Sequence, residues 1–503
     1  MTALTTEPAV SATRQEPGGP WKAVFALALF ESRRLLTRVP VLMAFAVYIG
    51  WTVWRGGKEG DGFPALQDVD RATQGAPMLI GLAVLLSVNH AAVRSQRHGT
   101  EQLLTVLVLP LWRRTVAHAL SVVAAALLTA VCVAAQFGRE ALRPGAVGHG
   151  SVGELLVGPL TVLLFGLFGL LVAGLVRSAL VAPLLVVLLL FLFVFFSGLG
   201  YEARWLLPAV EDATPNTLPS DLLGRPAAWH ALYLTGLALT LGLLAVLLAG
   251  GRRPAVFAGV AGALAMTLTG GVAQSAGDSP ELLRARERAT VHPEQVQSCV
   301  RRDGSTYCAF PEWGPRVADW AGVVNRVRSL AGGDAHEQDI VVRQRIEARY
   351  GLDGDSALTP LERPHQVTVG TRWGGNRVPE FSAAVAGVLI AGDEKAATSI
   401  CDGRIIPLMW LAVGWESDPL DALRRVRLND TLTGSDSVLQ PTDGLYMTEA
   451  HTEVLRALLD LPRGEAGARV KDRWDELTAP KVTAARAAGL LGLPAPEGDD
   501  KCS

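Results

Sequence analysis

The most telling absence in these 503 residues is a phosphate-binding loop. No G-x-x-x-x-G-K-[ST] occurs anywhere, so the chain is not expected to hydrolyse ATP itself. Other catalytic patterns are missing or broken. There is no G-x-S-x-G nucleophile elbow. His336-Glu337-Gln338-Asp339-Ile340 starts like the zinc motif H-E-x-x-H but has Ile where the second histidine ligand belongs. Asp353 and Asp355 start like a calcium loop, and Ala357 fails at the third ligand, which leaves a solvated turn. Gly148, Gly150 and Gly153 spell G-x-G-x-x-G, but no strand precedes them and a long apolar run follows, so they read as a loop. No cofactor or metal is expected.

Charge imbalance is also lacking. Lys and Arg number 46 against 48 Asp and Glu, which suggests neither a nucleic-acid nor an acidic-surface partner. Lysine is scarce beside arginine, and with abundant Ala, Gly, Leu and Val this reads as a high-GC bacterial coding bias. Residues 1–20 lack the basic start, apolar centre and small-residue cleavage site of a signal peptide; they are expected to be a disordered cytoplasmic tail.

Long apolar runs are present in the first half. A membrane-spanning helix needs about 20 apolar residues. Seven segments reach or approach that length: Val39–Trp54, Ala76–Val93, Thr115–Phe137, Gly153–Val176, Ser178–Leu199, His230–Ala249 and Pro254–Gln274. Trp21–Leu36 precedes them as an amphipathic stretch suited to lie in the interface, with a soluble or coiled helix as the plainer alternative. With the amino terminus inside, twelve basic residues fall in cytoplasmic segments and seven in outside loops of this half. That bias follows the positive-inside rule and places the carboxy-terminal half outside. Polar residues within the spans are few. Asn89, His90 and His118 are expected to bond neighbouring helices or lie at the interface, and no span is expected to hold a buried carboxylate suited to a proton relay.

Between the second and third runs lies a basic loop, RSQRHGTEQLLTVLVLPLWRR, from Arg94 to Arg114. Gly99 permits a turn out of the preceding span. Thr100 can cap a short helix, with Glu101 in its first turn favoured by the helix dipole. Leu103, Leu104 and Leu107 form an apolar ridge that Pro110 ends. A capped interfacial helix without a partner would read the same way. The pattern of Gly99, Thr100, Glu101, Leu103, Leu104, Pro110, Arg113 and Arg114 resembles the corresponding loop of type-2 ABC transporter permeases. The resemblance extends over residues 21–250: an elbow helix, six spans, and a long loop (Gly200–Ala228) placed where these permeases carry a re-entrant segment, although a surface loop is also compatible. A seventh span, 254–274, departs from the family pattern.

The resemblance implies a permease subunit of an ABC exporter-type transporter. A separate ABC ATPase subunit would grip the loop through Arg97, Gly99, Thr100, Glu101, Leu103, Leu104 and Arg113, and a second permease copy, identical or not, would complete a path through membrane lipid. Two other classes stay open. One is a membrane-anchored sensor or assembly protein with a ligand-binding outside domain; the other is an outside hydrolase or transferase acting on envelope components.

Residues 276–503 read as a mostly helical extracytoplasmic domain, large enough for its own core. Cys299 and Cys308 flank Asp303-Gly304, a hairpin signal that a disulfide would close in an oxidising compartment. Unpaired thiols or half a metal site are the alternatives, with only His292 nearby as a further ligand. Cys401 and Cys502 form a second candidate pair, and Cys132 reads as packing within a span. Helices are expected at 281–292, 313–330, 334–350, 381–391, 405–415, 451–461 and 471–491, and a strand at 365–373. The fold class expected is mainly α: a polytopic helical membrane domain of about seven spans, then the soluble domain.

Overall fold

The structure, a computed structural model, describes residues 20–58, 62–97, 109–176, 178, 180–197, 204–210, 217–351 and 358–501. The chain is mainly helical. Helix α1 (Pro20–Leu36) meets α2 (Val39–Lys58) at a 60° bend. Pro40 explains the break. It is tolerated in the first turn of α2, but it has no N–H for the carbonyl four residues back and its ring clashes there, so one helix cannot run through. A short α3 (Leu66–Ala72) then leads to α4 (Pro77–Arg97). Next come α5 (Leu111–Ala141), α6 (Val152–Leu175), α7 (Val181–Ser197), α8 (Ala227–Leu248) and α9 (Pro254–Gln274). Pro77 and Pro254 open their helices and Pro110 and Pro226 stand just before theirs, where a missing N–H costs nothing.

Among the described residues five stretches are long and apolar enough to cross a membrane, those holding α4, α5, α6, α8 and α9, or six if the bent pair α1–α2 counts as one span. α7, at 17 residues, is apolar but shorter than the roughly 20 a span requires. Helix α6 lies at the centre, packed on α4, α5 and α8. It comes close to α4 because Gly169 has no side chain: a Cβ there would sit 2.5 Å from the Leu85 carbonyl oxygen. Asn89, on the same face of α4, donates to that Gly169 carbonyl at 3.1 Å, the helix-bonding role its sequence position suggests.

Helix α9 packs on α8 and is otherwise widely exposed, with Phe257, Leu264, Leu268 and Val272 uncovered. Two glycines set the contact. A Cβ on Gly236 would meet the Thr267 amide nitrogen at 2.5 Å, and one on Gly270 would meet the Tyr233 amide nitrogen at 2.6 Å. Backbone cannot yield as a flexible side chain does. Gly270→Leu is therefore expected to push α9 off α8. Cysteine cross-linking between the two helices should fall severalfold in that variant, and unchanged cross-linking would show that the helices are not held this way.

In the carboxy-terminal half, α10 (Pro280–Val291) is capped by Ser279, whose hydroxyl accepts from the Leu282 amide. Strands β1 (Ser298–Arg302) and β2 (Ser305–Ala309) form the expected hairpin, turning at Asp303 and Gly304 with φ of 50° and 86°. Cys299 and Cys308 face each other in register and are joined by a disulfide. Cys401 is also disulfide-bonded, while Cys502 lies outside the described residues. Cys132 is free and packs against the helix bundle.

The expectation of a helix over 334–350 needs correction here. Helix α11 (Val317–Leu330) leads to β3 (Val341–Gln344), which falls where a helix over 334–350 is expected. The β-branched run Ile340-Val341-Val342 decides it, once a parallel slot opens between β2 and β4 (Gln366–Val369). The four strands make one sheet in the order β1-β2-β3-β4.

Helix α12 (Arg377–Ala391) packs on β4, and α13 (Glu394–Thr398), α14 (Ile405–Val413) and α15 (Pro419–Val426) follow, with α14 and α15 packed on α12. All nine residues of α14 are buried, as its length and apolarity predict for a core helix. A small hairpin, β5 (Asp436–Val438) and β6 (Leu445–Met447), and α16 (Glu449–Leu459) follow. The single helix expected over 471–491 is instead the end of α17 (Arg463–Asp472), then α18 (Trp474–Leu477) and α19 (Ala484–Leu491).

One feature of this core could not be read from the sequence. It takes in Ala65, Val147, Leu218 and Leu222, which come from three separate connections in the first half of the chain. Ala65 and Val147 also form a parallel bridge. The connections assigned to the outside thus gather at one end of the helices, together with the whole carboxy-terminal half.

Candidate functional site

At the other end of the bundle, α1 lies along α5 and touches α4. These are the two helices that flank the loop singled out in the sequence. Gly99, Thr100, Glu101, Leu103 and Leu104 lie outside the described residues, and Arg97 is the last residue of α4. What surrounds the loop is described. Arg94 pairs with Glu31 of α1 at 3.2 Å, and the Glu31 side chain is 6% exposed. Glu31 also lines a small cavity between α1, α4 and α5, shared with Arg38, Ser87, His118 and Ser121. Ser87 Oγ in that cavity has no hydrogen-bond partner.

On the far side of the loop, Arg113 lies over the Trp112 ring at 5.1 Å and Arg253, just before α9, at 4.7 Å. Trp21 of α1 meets Trp112 edge-on at 6.2 Å. Cation–π contacts of this kind contribute about 0.5–1 kcal/mol each when exposed. Residues from the start of α1, the start of α5 and the turn before α9 therefore converge on one indole. Of the predicted contact residues, Arg113 is placed here and Arg97 ends the helix that enters the loop.

The opposite end holds a second polar layer, beneath the carboxy-terminal half. Glu154, in the first turn of α6, accepts from Arg225 Nε at 2.7 Å and Nη2 at 3.3 Å, with both side chains at most 4% exposed. Gln74 also donates to it. Asp70 on α3 is 2% exposed and accepts from the Ser151 amide at 2.7 Å. Asp68 binds Arg71 and the Thr217 hydroxyl. His230 Nδ1 meets Gln274 Oε1 at 2.9 Å, and Gln274 Nε2 donates to the Trp205 carbonyl at 2.9 Å. Trp205 is 1% exposed and carries Arg225 over its ring at 5.0 Å, so this part of the loop over 200–228 is packed inside rather than lying on the surface.

The carboxy-terminal half clamps this layer. Arg316, 1% exposed, donates to the Phe63 carbonyl at 2.5 Å and to the Thr371 carbonyl at 3.0 Å. The Thr371 hydroxyl donates to the Thr217 carbonyl at 2.7 Å. Glu312 accepts from the Ser220 amide at 3.1 Å, and Arg286 donates to the carbonyls of Leu222 and Leu223 at 2.8 Å each.

No protein-family model, curated protein or solved structure matches this chain. Among the described residues no three His, Cys, Asp or Glu side chains come together as a metal group. What the geometry provides is therefore two junctions: one around the base of the loop over 98–108, one between helices and carboxy-terminal half.

The second junction holds a buried carboxylate inside an apolar run that the sequence reading did not single out: Glu154, ion-paired with Arg225. Glu154 is the lone charge in the run Gly153–Val176, and that isolation was the available signal: such a residue inside a span must face a partner. Asp70 and Arg225 gave none, because their burial depends on loops folding back over them.

Proposed function

We propose that this chain is the membrane-spanning subunit of an ABC exporter-type transporter, driven by a separate ATPase subunit. The carrying observation is the Glu31–Arg94 pair, which fixes the elbow-like helix α1 to the end of α4, the helix that enters the loop over 98–108. A push on that loop then moves α1, α4 and α5 together. The bent pair α1–α2, then α4, α5, α6, α7, α8 and α9, make seven spans in this reading, with the amino terminus cytoplasmic and the carboxy-terminal half outside a bacterial cell membrane. The large exposed apolar residues of α2, α7 and α9 meet lipid or a second permease copy. The Cys299–Cys308 disulfide agrees with an oxidising compartment for the carboxy-terminal half.

A gentle-detergent pull-down of the tagged full chain tests this. An ATPase carrying a phosphate loop should copurify with the wild type and be lost, at least tenfold, from a folded Glu101→Arg, Leu104→Asp variant. If no ATPase accompanies intact protein, the transporter reading fails, and a membrane-anchored sensor or assembly role becomes the better account.

A further inference from the structure

Among the described residues, the polar layer at the outer junction leaves one buried carboxylate without a cation in direct contact. Among the described residues, Glu154 is neutralised by Arg225 and Asp68 by Arg71, and both pairs are in direct contact. Asp70, among the described residues, forms no ion pair. Its Oδ2 takes the Ser151 amide, its Oδ1 is buried with no hydrogen-bond partner, and the residue is 2% exposed. One turn earlier on the same face of α3, Gln67 is fully buried and its Oε1 is likewise without a partner. The other charges around it have their own contacts, and Arg225, paired with Glu154, acts on Asp70 only at a distance. Arg139, Glu140 and Arg143 at the end of α5 pair with one another, and Arg316 of the carboxy-terminal half binds the Phe63 and Thr371 carbonyls. An ionised carboxylate buried without a cation costs far more than the same group protonated.

We infer that Asp70 is a proton-binding site, holding its proton in the assembled protein and sensing the pH at the junction between helices and carboxy-terminal half. The proton sits on Oδ1, where a neutral carboxyl removes the repulsion from Glu154 and leaves Oδ2 free to accept from Ser151. The direction of the effect follows from linkage. An unfolded aspartate titrates near about 3.9, and burial holds the folded group above that. Its stabilising contribution is complete at acid pH and is lost as pH rises through the folded value. Alkaline conditions leave a bare charge between α3 and the start of α6, and they loosen the contact. This inference does not depend on the transporter reading.

Two measurements on the full chain in lipid nanodiscs test it, comparing wild type with Asp70→Asn, which keeps an acceptor for Ser151 and mimics the neutral acid. The infrared difference spectrum between about pH 6, where ordinary carboxylates are ionised, and about pH 9 should contain a protonated-carboxyl band in the wild type that Asp70→Asn lacks. The thermal midpoint of the wild type should fall as pH rises, while that of Asp70→Asn falls less and exceeds it at the alkaline end. A band that persists in Asp70→Asn, or identical pH profiles, would overturn the proposal. If the variant does not assemble, ¹³C-aspartate labelling of the wild type replaces it. The band must then shift in frequency, and an unshifted band counts against Asp70.

Discussion

Arg225→Met should destabilise the helix bundle by about 3–5 kcal/mol, the largest loss expected from any single exchange at the outer junction. The guanidinium is buried and binds Glu154 through two nitrogens, so its removal strands a carboxylate that is itself 4% exposed. The penalty is chiefly that stranded charge rather than the net worth of the pair. Glu154→Gln should be similarly harmful for the mirror reason, leaving a buried cation. The double variant Arg225→Met, Glu154→Leu should then recover much of either loss, because two apolar side chains of similar volume leave no charge uncompensated. Thermal unfolding in detergent across the four proteins measures the coupling directly. Additive losses would mean that the pair is not the connection described.

The second large effect concerns Arg316. Arg316→Ala should cost several kcal/mol, on the order of 3, by removing the Arg316 donor from the Phe63 carbonyl and one of two donors from the Thr371 carbonyl inside a buried contact. The loss should be local in character. Trp313 still donates to the Thr371 carbonyl at 2.9 Å, so the core around α11 keeps one tie while the segment at Phe63 is released. Hydrogen exchange should accelerate at residues 63–72 well before the sheet β1–β4 loosens. Uniform acceleration through the whole carboxy-terminal half would show that Arg316 stabilises that half rather than its grip on the helices.

Much of the helical half was legible because its rules are local. The apolar runs and the separation of Trp21–Leu36 from Val39–Trp54 follow from spacing alone. The hairpin at Asp303-Gly304 was equally plain: two residues that accept positive φ sit between cysteines whose separation suits facing strands. Strand β3 was not legible, because a four-residue parallel strand is decided by its neighbours on either side, and those neighbours lie 35 residues before it and 25 after. The outer junction was hidden for a related reason. Asp70, Glu154, Thr217, Arg225 and Arg316 each look ordinary in their own windows, and only the folding of three connections onto the carboxy-terminal half buries them together. The loop from Gly99 to Leu104 remains the clearest functional pattern in the sequence, and its surroundings, Glu31 with Arg94 and the ring of residues on Trp112, came from the structure.

The shared core of the carboxy-terminal half bears on biogenesis. Its apolar interior is complete only when Ala65, Val147, Leu218 and Leu222 are all present on its own side of the bundle. These residues leave the ribosome long before the sheet does. A nascent chain with one helix inserted the wrong way round would present the last 200-odd residues with a gap where a loop belongs, exposing apolar surface to quality-control proteases. Under the proposed topology the carboxy-terminal half would close its core only on a polypeptide whose preceding turns all lie on the same side.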